Sequence, residues 1–138
     1  MIGLILVEKN FIMEKFIDRG SPRTPAINFD LANGLLEIRG RSLPENSFEF
    51  YKPLSDAIDK YSLSVKTNTT VNIYFDYFNT NSSKSIFDIF KKLEKIHKRG
   101  NPIIINWNYE DGDDDMLENG EDYKNMISIP FKMIPVVK

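Results

Sequence analysis

The stretch VNIYFDYF, Val71 to Phe78, does most to limit what this chain can become. It is apolar or aromatic on both sides of an extended chain. Val71, Ile73, Phe75 and Tyr77 point one way, and Tyr74 and Phe78 point the other. Two apolar faces predict a central strand covered on both sides. An unbroken polar run, Asn79 to Ser85, ends it. SIFDIFKKLEKIHKRG follows, with Ile86, Ile89, Phe90, Leu93 and Ile96 at helical spacing. Its second half carries Lys91, Lys92, Lys95, Lys98 and Arg99, where cations complement the helix dipole, and Gly100 is placed to end it. PIIINWNY then reads as another buried strand.

The flanking segments extend this pattern. AINFDLANGLLEIRG reads as a hairpin around Asn33-Gly34, a strong short-range turn signal. Pro44 opens a segment with Phe48, Tyr51, Leu54, Ile58 and Tyr61 at helical spacing. Pro53 inside it should kink the helix or delay its regular start. Met116, Leu117, Gly120, Tyr123 and Ile127 share one face of a third helix. ISIPFKMIPV closes as a strand that Pro130 pushes toward a sheet edge. The expected order is β-β-α-β-α-β-α-β: a single α/β domain, a mixed sheet with helices packed on it.

The chain has 138 residues, enough for one domain with a substantial core. It has no cysteine, which removes disulfides, thiolate catalysis and Cys-ligated zinc. Net charge is −2 but uneven. Glu110 to Asp122 holds eight acids and no base, and the rest carries 18 bases against 12 acids. No basic cluster beyond Lys91 to Arg99 exists, so nucleic-acid binding is not indicated. The start, MIGLILVEKNFIMEKF, lacks the basic flank and length of a signal peptide and is too short to span a bilayer. Residues 1–12 are expected to be an N-terminal extension, either an added strand or the product of a start codon upstream of Met13. Residues 13–138 are expected to be the domain, in a soluble cytoplasmic protein without a membrane partner.

Several segments could carry chemistry. The run Asn79 to Ser85 can be a helix cap, its side-chain oxygens accepting from first-turn amides. It is longer than a cap requires, and it lies at the C-terminal end of a central strand, where α/β sheets place their sites. The alternative is that one hydroxyl accepts or contacts a phosphate, which a helix N-terminus favours. DGDDDMLENGED fails as a calcium loop, with Met116 at the glycine position and Asp122 at the final glutamate position. It reads instead as an acidic helix N-terminus, with Asp113 to Asp115 along the dipole. GLLEIRGRS departs from a phosphate loop in spacing and in its Arg41. His97, the single histidine, sits among lysines near a helix end and reads as a surface or capping residue. Trp107 reads as core or sheet surface.

Together, TPAINFD, NGLLEIRGRSLPENSFEFYKPL, YFNTNSSKSIFDIFKKLE and WNYEDGDDDMLENGED resemble the SiaC family of bacterial regulatory phosphoproteins. The resemblance covers nearly all of Met13 to Val137. It implies a fold similar to the STAS domain of anti-sigma-factor antagonists and a binding switch rather than an enzyme, with no cofactor or metal. It implies phosphorylation of a threonine by a partner Ser/Thr kinase and removal of the phosphate by a PP2C-type phosphatase. The switch would control an effector such as a diguanylate cyclase, and so biofilm formation. The family's acceptor falls on Thr80, within Asn79 to Ser83; Asn81 stands where many relatives have Ser or Ala. Asn79, Asn81, Ser82 and Ser83 would rim the switch, with Glu45, Asn46 and Tyr51 as further partner contacts. Two rivals remain: a small metal-dependent enzyme using Asp113 to Asp115, and a structural interaction protein whose polar turn only caps a helix.

Overall fold

The computed structural model describes residues 2–6 and 14–138. Seven strands form one sheet in chain order: β1 (Ile2–Leu6), β2 (Glu14–Asp18), β3 (Ala26–Asp30), β4 (Leu35–Ser42), β5 (Thr69–Phe78), β6 (Ile103–Glu110) and β7 (Phe131–Val136). β1 to β4 form an antiparallel meander, and β4 to β7 run parallel. Each parallel step is bridged by a helix: α1 (Ser47–Tyr61), α2 (Thr80–Lys98) and α3 (Asp114–Met126). The mixed sheet and all three helices match the expected order. The difference is β2, a strand outside the expected order; β1 lies within residues 1–12, where an added strand is one of the two expectations. The boundary expected at residues 12–13 lies outside the described residues.

Strands stepping steadily in one direction, with crossovers of one hand, put every helix on the same face. Burial agrees. Leu36 and Ile38 of β4, Val71, Ile73 and Phe75 of β5, and Ile103, Ile105 and Trp107 of β6 are buried beneath the helices. Glu37 and Arg39, Ile104 and Lys132 point the other way and are exposed. The expectation that β5 is covered on both sides is therefore corrected: the sheet is covered on one side. The apparent second apolar face has a local cause. Gly40 pairs with Phe75 but Arg41 pairs with Tyr77, so Asp76 is an extra residue in β5. Such a bulge reverses the in–out alternation beyond it. Tyr77 turns outward and is 49% exposed, with Arg41 over its ring at 5.8 Å. Phe78 turns inward, its ring 5.4 Å from Phe75 and 6.3 Å from Tyr123.

The helices follow their apolar stripes with two departures. α1 starts at Ser47 and continues through Pro53, so the proline does not delay it; Asn46 caps the helix by accepting from Glu49 N at 3.1 Å. Phe48 is 68% exposed, and Ser47 takes the buried position beside it. α3 buries Met116, Gly120 and Tyr123 against the sheet, with Leu117 only half-buried. A Cβ on Gly120 would stand 2.5 Å from the Trp107 ring, so this helix approaches the sheet as closely as it does only with glycine there. Trp107 is fully buried and donates from Nε1 to the Met116 carbonyl at 3.0 Å. β7 is an edge strand, with Pro130 just before it.

Candidate functional site at the turn from β5 to α2

The bulged end of β5 leads directly into α2. Asn79 joins them: its N–H donates to the Ser42 carbonyl at 3.1 Å, continuing the pairing with β4. Its side chain accepts from Ser82 N at 2.8 Å, and its carbonyl accepts from Ser83 N at 3.1 Å. Asn79 is thus the N-cap, and Thr80 is the first helical residue. Thr80 is exposed.

The other hydroxyls of the turn are engaged. Ser83 Oγ donates to the Thr80 carbonyl at 2.7 Å. Ser85 Oγ donates to Ser47 Oγ at 2.9 Å, and Ser47 Oγ donates to the Asn81 carbonyl at 2.9 Å. Ser82 has no exposed surface, and its Oγ donates to the Ser42 carbonyl at 3.0 Å. Ser42 Oγ lies 2.9 Å from Ser82 Oγ and 2.7 Å from the Tyr51 hydroxyl. Counting hydrogens sets the direction. Ser82 has spent its hydrogen on the carbonyl, so it accepts from Ser42 Oγ. Ser42 has then spent its own, so Tyr51 donates to Ser42. The result is a one-way chain, Tyr51 to Ser42 to Ser82 to the Ser42 carbonyl. Burial pushes the Tyr51 hydroxyl well above the ordinary tyrosine range, which keeps this donor protonated. Among the described residues, Thr80 alone in this turn has a hydroxyl with no hydrogen bond.

The expected site residues divide into two groups. Thr80 and Asn81 are exposed and Asn79 and Ser83 half-buried at the surface. Glu45 and Asn46 are exposed beside them, and Asn81 Nδ2 donates to the Glu45 carbonyl at 3.3 Å. Ser82 and Tyr51, the latter 3% exposed, lie inside. As partner contacts these two are corrected: both side chains are consumed by the internal chain and act from behind the surface. Ser42 and Ser47 were not singled out from sequence. Ser42 does have a signal, since it continues the inward positions Leu36 and Ile38 on β4, where a hydroxyl must find a buried partner.

The electrostatics around Thr80 favour added negative charge. The first turn of α2 contains no acidic residue, so the positive end of its dipole is not neutralised from within. Lys84 is exposed one turn along, on the same helix face as Thr80. The eight acids lie elsewhere. Asp113 caps α3 by accepting from Met116 N at 3.1 Å, and Asp114 and Asp115 occupy its first turn, as expected. Among the described residues no group of three or more His, Asp or Glu side chains is disposed to hold a metal ion. His97 is half-buried in the last turn of α2 and caps no helix, the C-cap being Arg99; its Nδ1 accepts from Ile103 N, the first residue of β6, at 3.1 Å and so ties the helix to the sheet. Among the described residues no helix is long and apolar enough to cross a membrane.

Residues 18–136 match the SiaC family of regulatory phosphoproteins. The chain belongs to that family. An uncharacterised protein of Pseudomonas aeruginosa strain UCBPP-PA14 is 31% identical over 112 residues, 81% of this chain and 89% of that one. Two solved structures from Pseudomonas aeruginosa superpose closely. One is the diguanylate cyclase SiaD in complex with its activator SiaC, with a TM-score of 0.82 at 29% identity, covering 87% of this chain and 98% of that one. The other is SiaC in its apo form, with a TM-score of 0.81 at 30% identity, covering 88% of this chain and 99% of that one. The SiaC architecture is therefore the one seen here.

Proposed function

We propose that this SiaC-family chain is a regulatory adaptor switched by phosphorylation at Thr80, with a diguanylate cyclase as its effector. The observation that carries this reading is the free, exposed Thr80 hydroxyl in a turn where every other hydroxyl is engaged. A partner Ser/Thr kinase phosphorylates it. Thr80 Oγ1 attacks the γ-phosphorus of a nucleoside triphosphate, the bond to the diphosphate breaks, and the hydroxyl proton passes to a base on the kinase. A PP2C-type phosphatase returns the hydroxyl by hydrolysis. The effector assignment is supported by the related SiaC, which is an activator found in complex with SiaD.

The phosphate adds roughly −1.5 to −2 charges and three strong acceptors. The amide end of α2 and Lys84 accommodate them in the free protein. A partner surface fitted to a neutral threonine, with Asn79, Asn81, Ser83, Glu45 and Asn46 around it, meets a solvated dianion instead. Binding is lost through charge and desolvation, without a change of fold.

The test is the intact mass of the protein from its own cells, followed by fragmentation to place any phosphate. One phosphate, on Thr80, is expected, together with its absence from Thr80→Ala. No phosphate at any growth stage, or phosphate only elsewhere, rejects the switch.

A further inference from the structure

The buried hydroxyl chain has a feature that core packing does not require. Its members come from three elements, β4, α1 and the first turn of α2, and they converge directly behind the exposed threonine. An apolar side chain would fill the same space without needing a partner, whereas each buried hydroxyl demands one. A directed chain of bonds fixes orientation as well as distance. The same turn is tied a second time, by Ser85 to Ser47 and by Ser47 to the Asn81 carbonyl. Both ties join the beginnings of α1 and α2, and they withhold Ser82 and Ser85 while leaving Thr80 outside.

We propose that Tyr51, Ser42 and Ser82 are positioning residues for the switch. They lock the first turn of α2 to β4 and α1, so that the Thr80 hydroxyl is the one presented to a modifying enzyme. This rests on the switch reading above. The positioning residues touch neither phosphate nor partner; they act through the backbone of Asn79 to Ser83. Presentation therefore depends on side chains up to 40 residues apart in sequence.

Two variants test this, each removing one hydroxyl and little else: Tyr51→Phe and Ser82→Ala. The Asn79 cap survives in both, because Asn79 Oδ1 accepts from the backbone N–H of Ser82, which neither substitution removes. Two readouts are taken. The first is amide hydrogen exchange by NMR on the full chain, comparing Ser82 and Ser83 with Leu93 and Ile96 later in the same helix. About tenfold faster exchange is expected at Ser82 and Ser83, as follows from one lost buried hydrogen bond, with Leu93 and Ile96 unchanged. The second is phosphate occupancy in the native cells. In both variants it should fall at Thr80, or spread to Ser82 in Tyr51→Phe and to Ser83 in either.

Uniform acceleration along α2 overturns the proposal, since it marks a general stabilising role. So does local acceleration with the wild-type phosphate pattern, since the turn then moves without consequence for presentation. If the wild-type chain itself carries no phosphate on Thr80, the switch reading fails and the proposal fails with it. Variants that match wild type in exchange, beside a normally phosphorylated wild type, sink the proposal alone.

Discussion

Asn79 illustrates how much one side chain decides at this turn. It ends the pairing with β4, caps α2 and sets where Thr80 stands. Asn79→Ala should lower stability by about 1 kcal/mol, the usual loss for an N-cap, as measured by urea unfolding. Glu94 does comparable work at the far end of α2. It is 4% exposed, accepts from Lys91 at 2.7 Å and receives the Ser128 N–H, which anchors the segment between α3 and β7. The Lys91 and Ser128 hydrogen bonds hold its carboxyl below the ordinary range. A carboxyl lowered in the folded state stabilises above its unfolded value, and that contribution fades as pH falls through the folded value. Glu94→Gln should therefore cost about 1.5–3 kcal/mol at neutral pH, as expected for bonds to a charged group. The gap from wild type should close as the solution is acidified. Unfolding measured at several pH values reads both effects. At this scale the sequence was only partly legible. The cap and the surface threonine follow from local order, but the partners of Ser42, Tyr51, Ser82 and Glu94 lie up to 40 residues away and no local pattern joins them.

Among the elements, α2 and the third helix were legible from period alone, as was the hairpin from Asn33-Gly34. Even there chemistry refined the pattern. Gly34 has a φ of 67° and Asn33 does not have a positive φ, so the connection is a longer turn and not the two-residue form that the dipeptide suggests. β5 misleads because alternation is reliable only while the register holds. The extra Asp76 exchanges the roles of Tyr77 and Phe78, and no composition signal marks a bulge. Phe48 misleads because helical spacing places a residue near a stripe without saying where the stripe ends. α3 offers the clearest test of packing at this scale. Gly120→Ala improves helix propensity yet drives a methyl into Trp107. Net destabilisation of about 1–3 kcal/mol is expected from overpacking, seen as a lower Tm and a changed Trp107 fluorescence. An unchanged or higher Tm would mean the helix can shift off the sheet at no penalty.

At the scale of the whole molecule, Thr80, the proposed switch residue, sits where β4 and β5 end and α2 begins, on a sheet covered along one side. A charge added at Thr80 lands outside that core. Phosphorylated protein should keep its far-UV dichroism and melt within about 3 °C of the unmodified form, a span worth less than 1 kcal/mol for a chain this size. Its Kd for a diguanylate cyclase effector should rise by at least about tenfold, by the repulsion and desolvation argued above. Titration calorimetry with both phosphoforms measures this. A large drop in Tm would relocate the mechanism from surface to fold.

The strands lie in the sheet in the same order as in the chain. No strand must thread between two that have already paired. A chain emerging from the ribosome can therefore add each strand to a finished edge, and the mean loop closed at each step stays short, which favours rapid folding. Ser42 reaches its place on β4 before α1 brings Tyr51 and long before Ser82 is made. In that order of addition the turn carrying Thr80 meets a β4 and an α1 already made, ahead of β6, α3 and β7.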